Sequence, residues 1–342
     1  MKLHYICARQ ERMKNMTPEI YTTLSILLLC WIVLLATDAA VCGILKLAAG
    51  IPFKKAFLWG CLSLLIPPFA ITYGSLIERN WFKVEHVVIE HEELPAGFDG
   101  YTIVHISDLH ARSFEGREKH LQRVVEKINA TGPDIIAFTG DLISMSPDEL
   151  EGMTGILGEL KATDGVFSVL GNHDYCMYSN MDRSDRNKAL EQLIYKEEEM
   201  GWTLLMNENV TITRDGDSVT IVGVENTSPS RHFPSKGDLS RASEGTDGLF
   251  RILLSHDPLH WESEIIGKDY PLTLSGHTHS MQFSLFGWSP SRYLFPQYRG
   301  LYSSENGQYI YVNSGLGETI FPARIGVRPE ITLITLKNRN CR

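Results

Sequence analysis

A chain of 342 residues with 43% hydrophobic composition can bury one large core or two ordinary ones, and its formal net charge of −9 excludes a general nucleic-acid binder, which needs a basic face. Six cysteines without a single CxxC pair exclude a disulfide framework and a zinc-finger pattern alike. Cys30, Cys42 and Cys61 lie in apolar sequence and read as small buried hydrophobes.

Lys2, Arg9, Arg12 and Lys14 make residues 1–21 a basic N-terminal segment. Residues 24–47 then carry only Asp38 and Lys46 as charges, and residues 56–77 carry none. Each run is long enough to span a bilayer, so 22–80 reads as a membrane anchor of two transmembrane helices turning at 50–55. Pro67-Pro68 predict a kink in the second helix. A cleaved signal peptide competes for the first run, but the run is longer than such a core and a second follows it. Asp38 reads as contacting headgroups or water near its helix end. On the outer flanks lie Lys2, Arg9, Arg12, Lys14, Arg79 and Lys83, against Lys46, Lys54 and Lys55 at the turn. That bias favours both ends in the cytoplasm of a multi-pass protein of the cell (inner) membrane, with export of the following domain as the alternative.

From Phe82 the sequence becomes α/β, and 82–342 reads as one catalytic domain. Strands are expected at 82–90 and 101–107, and a helix at 118–130 with Leu121, Val124, Val125 and Ile128 on one side. Gly132-Pro133 stops it. A strand at 134–139, a polar helix at 147–161, a strand at 165–170 and a helix at 186–200 follow. Short strands come next at 203–205, 210–213 and 218–224, then a long loop at 226–247. Apolar runs at 252–254 and 272–274 complete an α/β layout.

Five of these strands end in groups that bind metals or carry protons: Asp108 with His110, Asp141, Asn172 with His173, His256, and His277 with His279. Residues i and i+2 of an extended chain project to one side, and in an α/β sheet such strand ends gather along one edge. Each residue alone has a plainer reading, Asp141 as a cap, Asn172 as a turn former, His256 as a core histidine. Recurrence after five strands is what those readings leave unexplained.

In order, Asp108-Leu109-His110, Gly140-Asp141, Gly171-Asn172-His173-Asp174, His256 and Gly276-His277-Thr278-His279 match D-x-H, G-D, G-N-H-D, a lone H and G-H-x-H. The chain thereby resembles the calcineurin-like metallophosphoesterases, in their membrane-associated YkuE/YaeI-like phosphodiesterase branch, over roughly residues 82–336. The resemblance implies a β-sandwich flanked by helices (αββα). It also implies that Asp108, His110 and His279 hold one metal, that Asn172, His256 and His277 hold the other, and that Asp141 bridges them. His173 is then the proton donor to the leaving oxygen. Asp174 either orients that imidazole or serves as a turn or cap residue.

Carboxylate, imidazole and amide donors suit two divalent ions of Mn, Fe or Zn rather than Ca, with Mn the first choice. Two such ions against the carboxylates of Asp108 and Asp141 leave the site positive, which attracts a phosphoester. The reaction expected is in-line attack on phosphorus by a metal-activated hydroxide. Arg112 is a candidate substrate contact, an exposed loop arginine being the plainer reading. Ser280-Met281 stand where the branch commonly has Gly-Gly, a change expected to affect access or substrate preference while leaving the ligands intact. The expected function is a membrane-anchored phosphodiesterase acting on a soluble or lipid-linked diester or pyrophosphate, the pyrophosphate of UDP-diacylglucosamine being the family analogy. The alternative is a non-catalytic metal-binding sensor or scaffold, against which the complete ligand set and His173 argue.

Overall fold

The computed structural model describes residues 17–341, so the basic flank of Lys2, Arg9, Arg12 and Lys14 lies outside the described residues. The chain divides into two compact units, one running to Arg79 and joined by Thr319–Ile325, the other formed by Asn80–Glu318 with the chain from Gly326 on. The inclusion of Thr319–Ile325 with the helices is something a linear division near residue 80 does not anticipate.

In the first unit α1 (Thr17–Ala49) is apolar all round, and Leu24, Leu28, Leu29, Ile32 and Val33 are exposed along it. A helix with no polar face that leaves these side chains exposed suits a lipid surround. The second apolar stretch is α2 (Phe53–Gly60), a 3₁₀ segment Cys61–Leu65 and α3 (Ile66–Leu76). Pro67 and Pro68 occupy the first turn of α3, where no intrahelical N–H is required, so the expected kink takes the form of a change of helix type just before them. Ile20–Ala49 and Phe53–Asn80 are each long and apolar enough to cross a membrane. Asp38 sits well inside the first stretch, not at its end, and accepts a 2.8 Å hydrogen bond from Ser63 Oγ. A side chain at Gly60 would come within 3.1 Å of Asp38 Cγ, so the glycine makes room for the carboxylate.

The second unit is a sandwich of two six-stranded sheets. One has the order β1-β12-β2-β3-β4-β5, built from β1 (Lys83–His91), β2 (Thr102–Ile106), β3 (Ile135–Phe138), β4 (Gly165–Ser168), β5 (Thr203–Leu204) and β12 (Glu330–Asn338). The other has the order β10-β11-β9-β8-β7-β6, from β6 (Glu208–Arg214), β7 (Asp217–Gly223), β8 (Phe250–Leu254), β9 (Leu272–Ser275), β10 (Gly300–Ser303) and β11 (Tyr309–Val312). Strands β2 to β5 run parallel, as do β7, β8, β9 and β11. All their carboxyl ends therefore open on loops of one kind in each sheet.

Period-two alternation separates the layers. Ile103, Ile135, Ala137 and Phe167 meet Ile221, Ile252, Leu254, Leu272 and Leu274 between the sheets. Val104, Ile106, Ile136 and Phe138 face outward onto α4 (Glu118–Asn129), through Leu121, Val124, Val125 and Ile128, and onto α5 (Arg183–Glu199), through Ala189 and Leu193. On the far side Val222, Leu253, Ile310 and Val312 pack on Leu239, Trp261 and Ile265. This is the αββα arrangement expected. The polar helix expected at 147–161 is instead a 3₁₀ turn (Pro147–Leu150) and one α turn (Thr154–Leu157). Glu149 and Ser146 form a capping box that starts the turn, the Glu149 carboxylate accepting from the backbone N–H groups of Ser144, Met145 and Ser146, and the chain breaks off at Glu151 (ψ 121°) and Gly152 (φ 79°) before a helix can propagate.

Candidate metal centre

The five strand ends converge. His279 Nε2 lies 3.1 Å from Asp108 Oδ1 and 3.0 Å from His110 Nε2, and His110 Nε2 lies 3.7 Å from Asp141 Oδ2. On the other side of Asp141, His256 Nε2 is 3.2 Å from Oδ2 and 3.3 Å from His277 Nδ1. Two donor groups thus form, Asp108–His110–His279 and Asp141–His256–His277, with Asp141 also grouped with His110 and His173. Donors about 3 Å apart are what two metal–nitrogen bonds of about 2.1 Å at an open angle require.

The backbone that delivers them is unusual. Asp108, His110, Asp141, His277 and His279 all have left-handed φ, between 44° and 71°, a region non-glycine residues enter at a cost of about 1 kcal/mol or more each. The neighbouring contacts hold that conformation. His277 N donates to both Asp108 carboxylate oxygens at 3.1 and 3.0 Å, and His173 N donates to Asp141 Oδ1 at 2.8 Å. A Cβ at Gly171 would fall 2.2 Å from Asp141 Oδ1, and one at Gly276 would fall 2.2 Å from Asp108 Oδ2, so only glycine fits either place.

Electrostatics follow from this crowding. Burial pushes the Asp108 carboxyl up but is outweighed by the pull of His279 and His256, so it stays below the usual carboxylate range. Asp141 is held well below that range against the same burial, by His256 and His173. Burial disfavours charge on His256, yet Asp141 draws its pKa up to about 10, while burial and His173 keep His110 well below the ordinary imidazole value. His256 Nδ1 faces Thr139 O at 2.6 Å, which fixes that nitrogen as the donor and turns Nε2 to Asp141.

Asn172 Oδ1 is buried without a hydrogen-bond partner, while its Nδ2 donates to Tyr178 OH at 3.1 Å. An orphaned amide oxygen next to a set of imidazoles and carboxylates fits a divalent ion. The donor chemistry therefore suits the group that the sequence implied.

The match to a family model now carries weight: residues 101–281, just over half the chain, match calcineurin-like phosphoesterase, and the span contains every candidate ligand. The chain is a calcineurin-like phosphoesterase. It is 34% identical over 275 residues to the metallophosphoesterase YkuE of Bacillus subtilis (strain 168), covering 78% of this chain and 90% of that one. It is 33% identical over 286 residues to the transmembrane protein with metallophosphoesterase domain of Danio rerio, covering 81% of this chain and 62% of that longer one. A metallophosphoesterase of Aquifex aeolicus is 30% identical over 269 residues, with 78% and 95% covered. Family membership makes the chain a metal-dependent phosphoesterase, and the two apolar helices together with the transmembrane relatives associate it with a membrane.

Within this phosphoesterase, His173 stands beside the donor groups, its ring edge-on to His110 with centroids 4.7 Å apart. Its Nδ1 faces Ser144 O at 2.7 Å. Asp174 does not orient that ring. Its carboxylate accepts from the backbone N–H groups of Asp141, Leu142, Ile143 and Gly171, which ties the Asp141 loop to the Asn172 loop. Arg112 is half-buried and lays Nη1 on Met145 Sδ at 3.4 Å.

Ser280, Met281 and Gln282 continue from His279 with φ of 49°, 51° and 53°, so the positions where glycines were expected do require left-handed backbone. Three neighbours escaped the sequence reading. Ser144 meets His173 Nδ1 with its carbonyl and His110 Nδ1 with its hydroxyl at 3.4 Å, Glu149 supports its loop from a distance, and Tyr178 stacks on the His173 ring at 4.2 Å. None carries a motif of its own. Phe233 and Phe295 lie edge-on to His277 and wall that side.

Proposed function

We propose that the chain is a dinuclear-metal phosphodiesterase held at the membrane by two retained helices. The observation that carries this is the sharing of Asp141 between donor sets drawn from five strand ends. Asp108, His110 and His279 would hold one divalent ion and Asn172, His256 and His277 the other, with Asp141 between them. Ions there, with Mn the first choice over Fe or Zn, would supply a nucleophilic water at neutral pH and draw negative charge onto the phosphoryl oxygens. The protein's part is positional. Ser144 O accepts from His173 Nδ1–H and so turns Nε2 to the site, where the imidazolium form would give its Nε2 proton to the leaving oxygen and be left neutral. Tyr178 keeps the ring flat beside the site, Asp174 holds the two ligand loops together, and Arg112 offers charge at the rim.

Anchoring by 22–80 favours a substrate found at the bilayer, a lipid-linked phosphodiester or pyrophosphate, with 82–342 on the cytoplasmic side. Protease protection of a C-terminal tag in sealed vesicles tests that side. The chemistry is tested on full-length protein by bound-metal analysis together with hydrolysis of bis(4-nitrophenyl) phosphate. We expect two ions per chain and metal-dependent turnover. Two bound ions with no turnover of any diester would instead establish the sensor or scaffold reading.

A further inference from the structure

The chain that leaves the metal centre after His279 does something the phosphoesterase chemistry does not ask for. Residues 283–288 form a tight hairpin in which Leu285 and Trp288 exchange backbone hydrogen bonds of 2.8 and 3.0 Å. The two turn residues, Phe286 and Gly287, have φ of 51° and 82°. Such a turn favours Asn-Gly or Asp-Gly, and a phenylalanine in the left-handed region is strained. Here that phenylalanine is 100% exposed, so no packing offsets the strain.

Its surroundings are of the same kind. Leu285 is 53% exposed, Tyr293 74% and Leu294 63%, with Met281 and Trp288 also exposed. Trp288 stands edge-on to Phe283 and Tyr293, so the aromatic rings form one cluster. A contiguous apolar surface of this size on a folded unit marks an interaction site. Charge favours an anionic partner: in a chain of net charge −9, residues 270–304 contain no aspartate or glutamate and carry Arg292 and Arg299, Arg299 sharing a cavity with Glu85 and Glu330 while Arg292 lies over Tyr293. Aromatic and leucine tips flanked by arginine are the composition of segments that sit in the headgroup zone of an anionic bilayer. A bilayer is also at hand, because the second membrane-length stretch ends at Asn80 and β1 begins at Lys83.

We infer that residues 281–294 are a bilayer-docking loop, with Leu285, Phe286, Trp288, Tyr293 and Leu294 seated in the interfacial zone of an anionic phospholipid leaflet. The loop starts two residues after His279, so docking holds one edge of the metal centre at headgroup level. This deepens the membrane-substrate reading above and rests on it only for its purpose, since docking is measurable without turnover.

The test uses full-length protein in vesicles of phosphatidylcholine and phosphatidylglycerol, with and without bromine on the acyl chains. Subtracting the emission of a Trp288→Phe variant isolates Trp288 from the chain's other tryptophans. The Trp288 share should be quenched about twofold in brominated vesicles, less so when phosphatidylglycerol is omitted, and not at all in a Leu285→Asp/Phe286→Asp variant. That variant should keep its bound metal and its hydrolysis of soluble bis(4-nitrophenyl) phosphate to within about twofold, because neither side chain touches the site. A Trp288 that bromine leaves unquenched in the wild type overturns docking. Cross-linking of two copies through the loop with Trp288 unquenched would assign the surface to a second copy and overturn it as well. An inactive wild type would refute the phosphodiesterase reading alone, and the quenching result would still decide the docking.

Discussion

Left-handed backbone occurs in two neighbouring regions of this phosphoesterase and has opposite surroundings in each. At the strand ends Asp108, His110 and Asp141 are buried and tied down by backbone donors, glycine contacts and the Asp174 carboxylate. At 281–286 Met281 and Phe286 have similar φ and are exposed. Strain that is enclosed fixes ligand positions, whereas strain left facing solvent presents side chains outward. The same dihedral angle thus serves geometry in one region and display in the other.

The largest effects should come from breaking the enclosed region. Asp141→Asn removes the charge shared by both donor sets, so bound metal and diester hydrolysis should fall together, turnover by at least about a thousandfold. His173→Ala should keep the metal and lose about a hundred- to ten-thousandfold in turnover, the usual range for a lost proton donor. Metal analysis beside single-turnover rates separates the two. A His173→Ala enzyme with unchanged rates would remove the proton-donor role.

Asp174→Asn asks whether enclosure itself matters. The amide presents an NH₂ to backbone N–H groups that now meet a carboxylate oxygen, at Leu142 and Ile143 or at Asp141 and Gly171. Two buried donors left unmatched cost about 3 kcal/mol together. Denaturant melts should show that loss, along with weaker metal retention. A variant as stable as the wild type would mean the loops are held by their glycines alone.

Much of the enclosed region was legible in the sequence because it repeats. A strand followed by Asp, His or Asn is ambiguous once and informative five times, and the parallel order of β2, β3 and β4 and of β8 and β9 turns that repetition into proximity. What stayed hidden acts through backbone atoms. The Ser144 carbonyl that aims His173, and the four N–H groups that occupy Asp174, belong to no side-chain pattern. The helix expected at 147–161 starts on its capping box and is cut short by the left-handed Gly152, a glycine that a polar helical run does not single out. The strands β10, β11 and β12 carry no separate signal in the sequence, since each takes its place only by pairing across the sheet. The displaying loop was visible only as a missing Gly-Gly.

A buried carboxylate outside the donor groups sharpens the contrast through its pH dependence. Glu197 is 1% exposed and meets Ser168 Oγ, which donates to it. Burial raises its carboxyl from the ordinary 4.5 to about 8, with the Ser168 hydroxyl pulling the other way and the Asp174 charge adding to the rise. A folded pKa above the unfolded one gives stability that is full below pH 4.5 and declines as pH rises through about 8. Glu197→Gln retains an acceptor for Ser168 and removes the ionisation. Its gain over the wild type should reach roughly 4 to 5 kcal/mol near pH 9 and should vanish near pH 4. An equal difference at both pH values would show that packing, not charge, sets the effect.

The smallest expected change lies at the border between the two regions. Ser280 and Met281 hold φ of 49° and 51°, and Ser280 Oγ is buried without a hydrogen-bond partner. Ser280→Gly/Met281→Gly relieves two left-handed side chains, at about 1 kcal/mol each, and gives back part of that gain by loosening the unfolded chain. A net stabilisation of about 1 kcal/mol with unchanged metal content is expected from denaturant titration. If the double glycine variant instead loses stability and metal, the turn from His279 to Gln282 belongs to the enclosed strain that places ligands. Display would then begin at Leu285 and Phe286, and Met281 would have to be counted with the site and not with the loop.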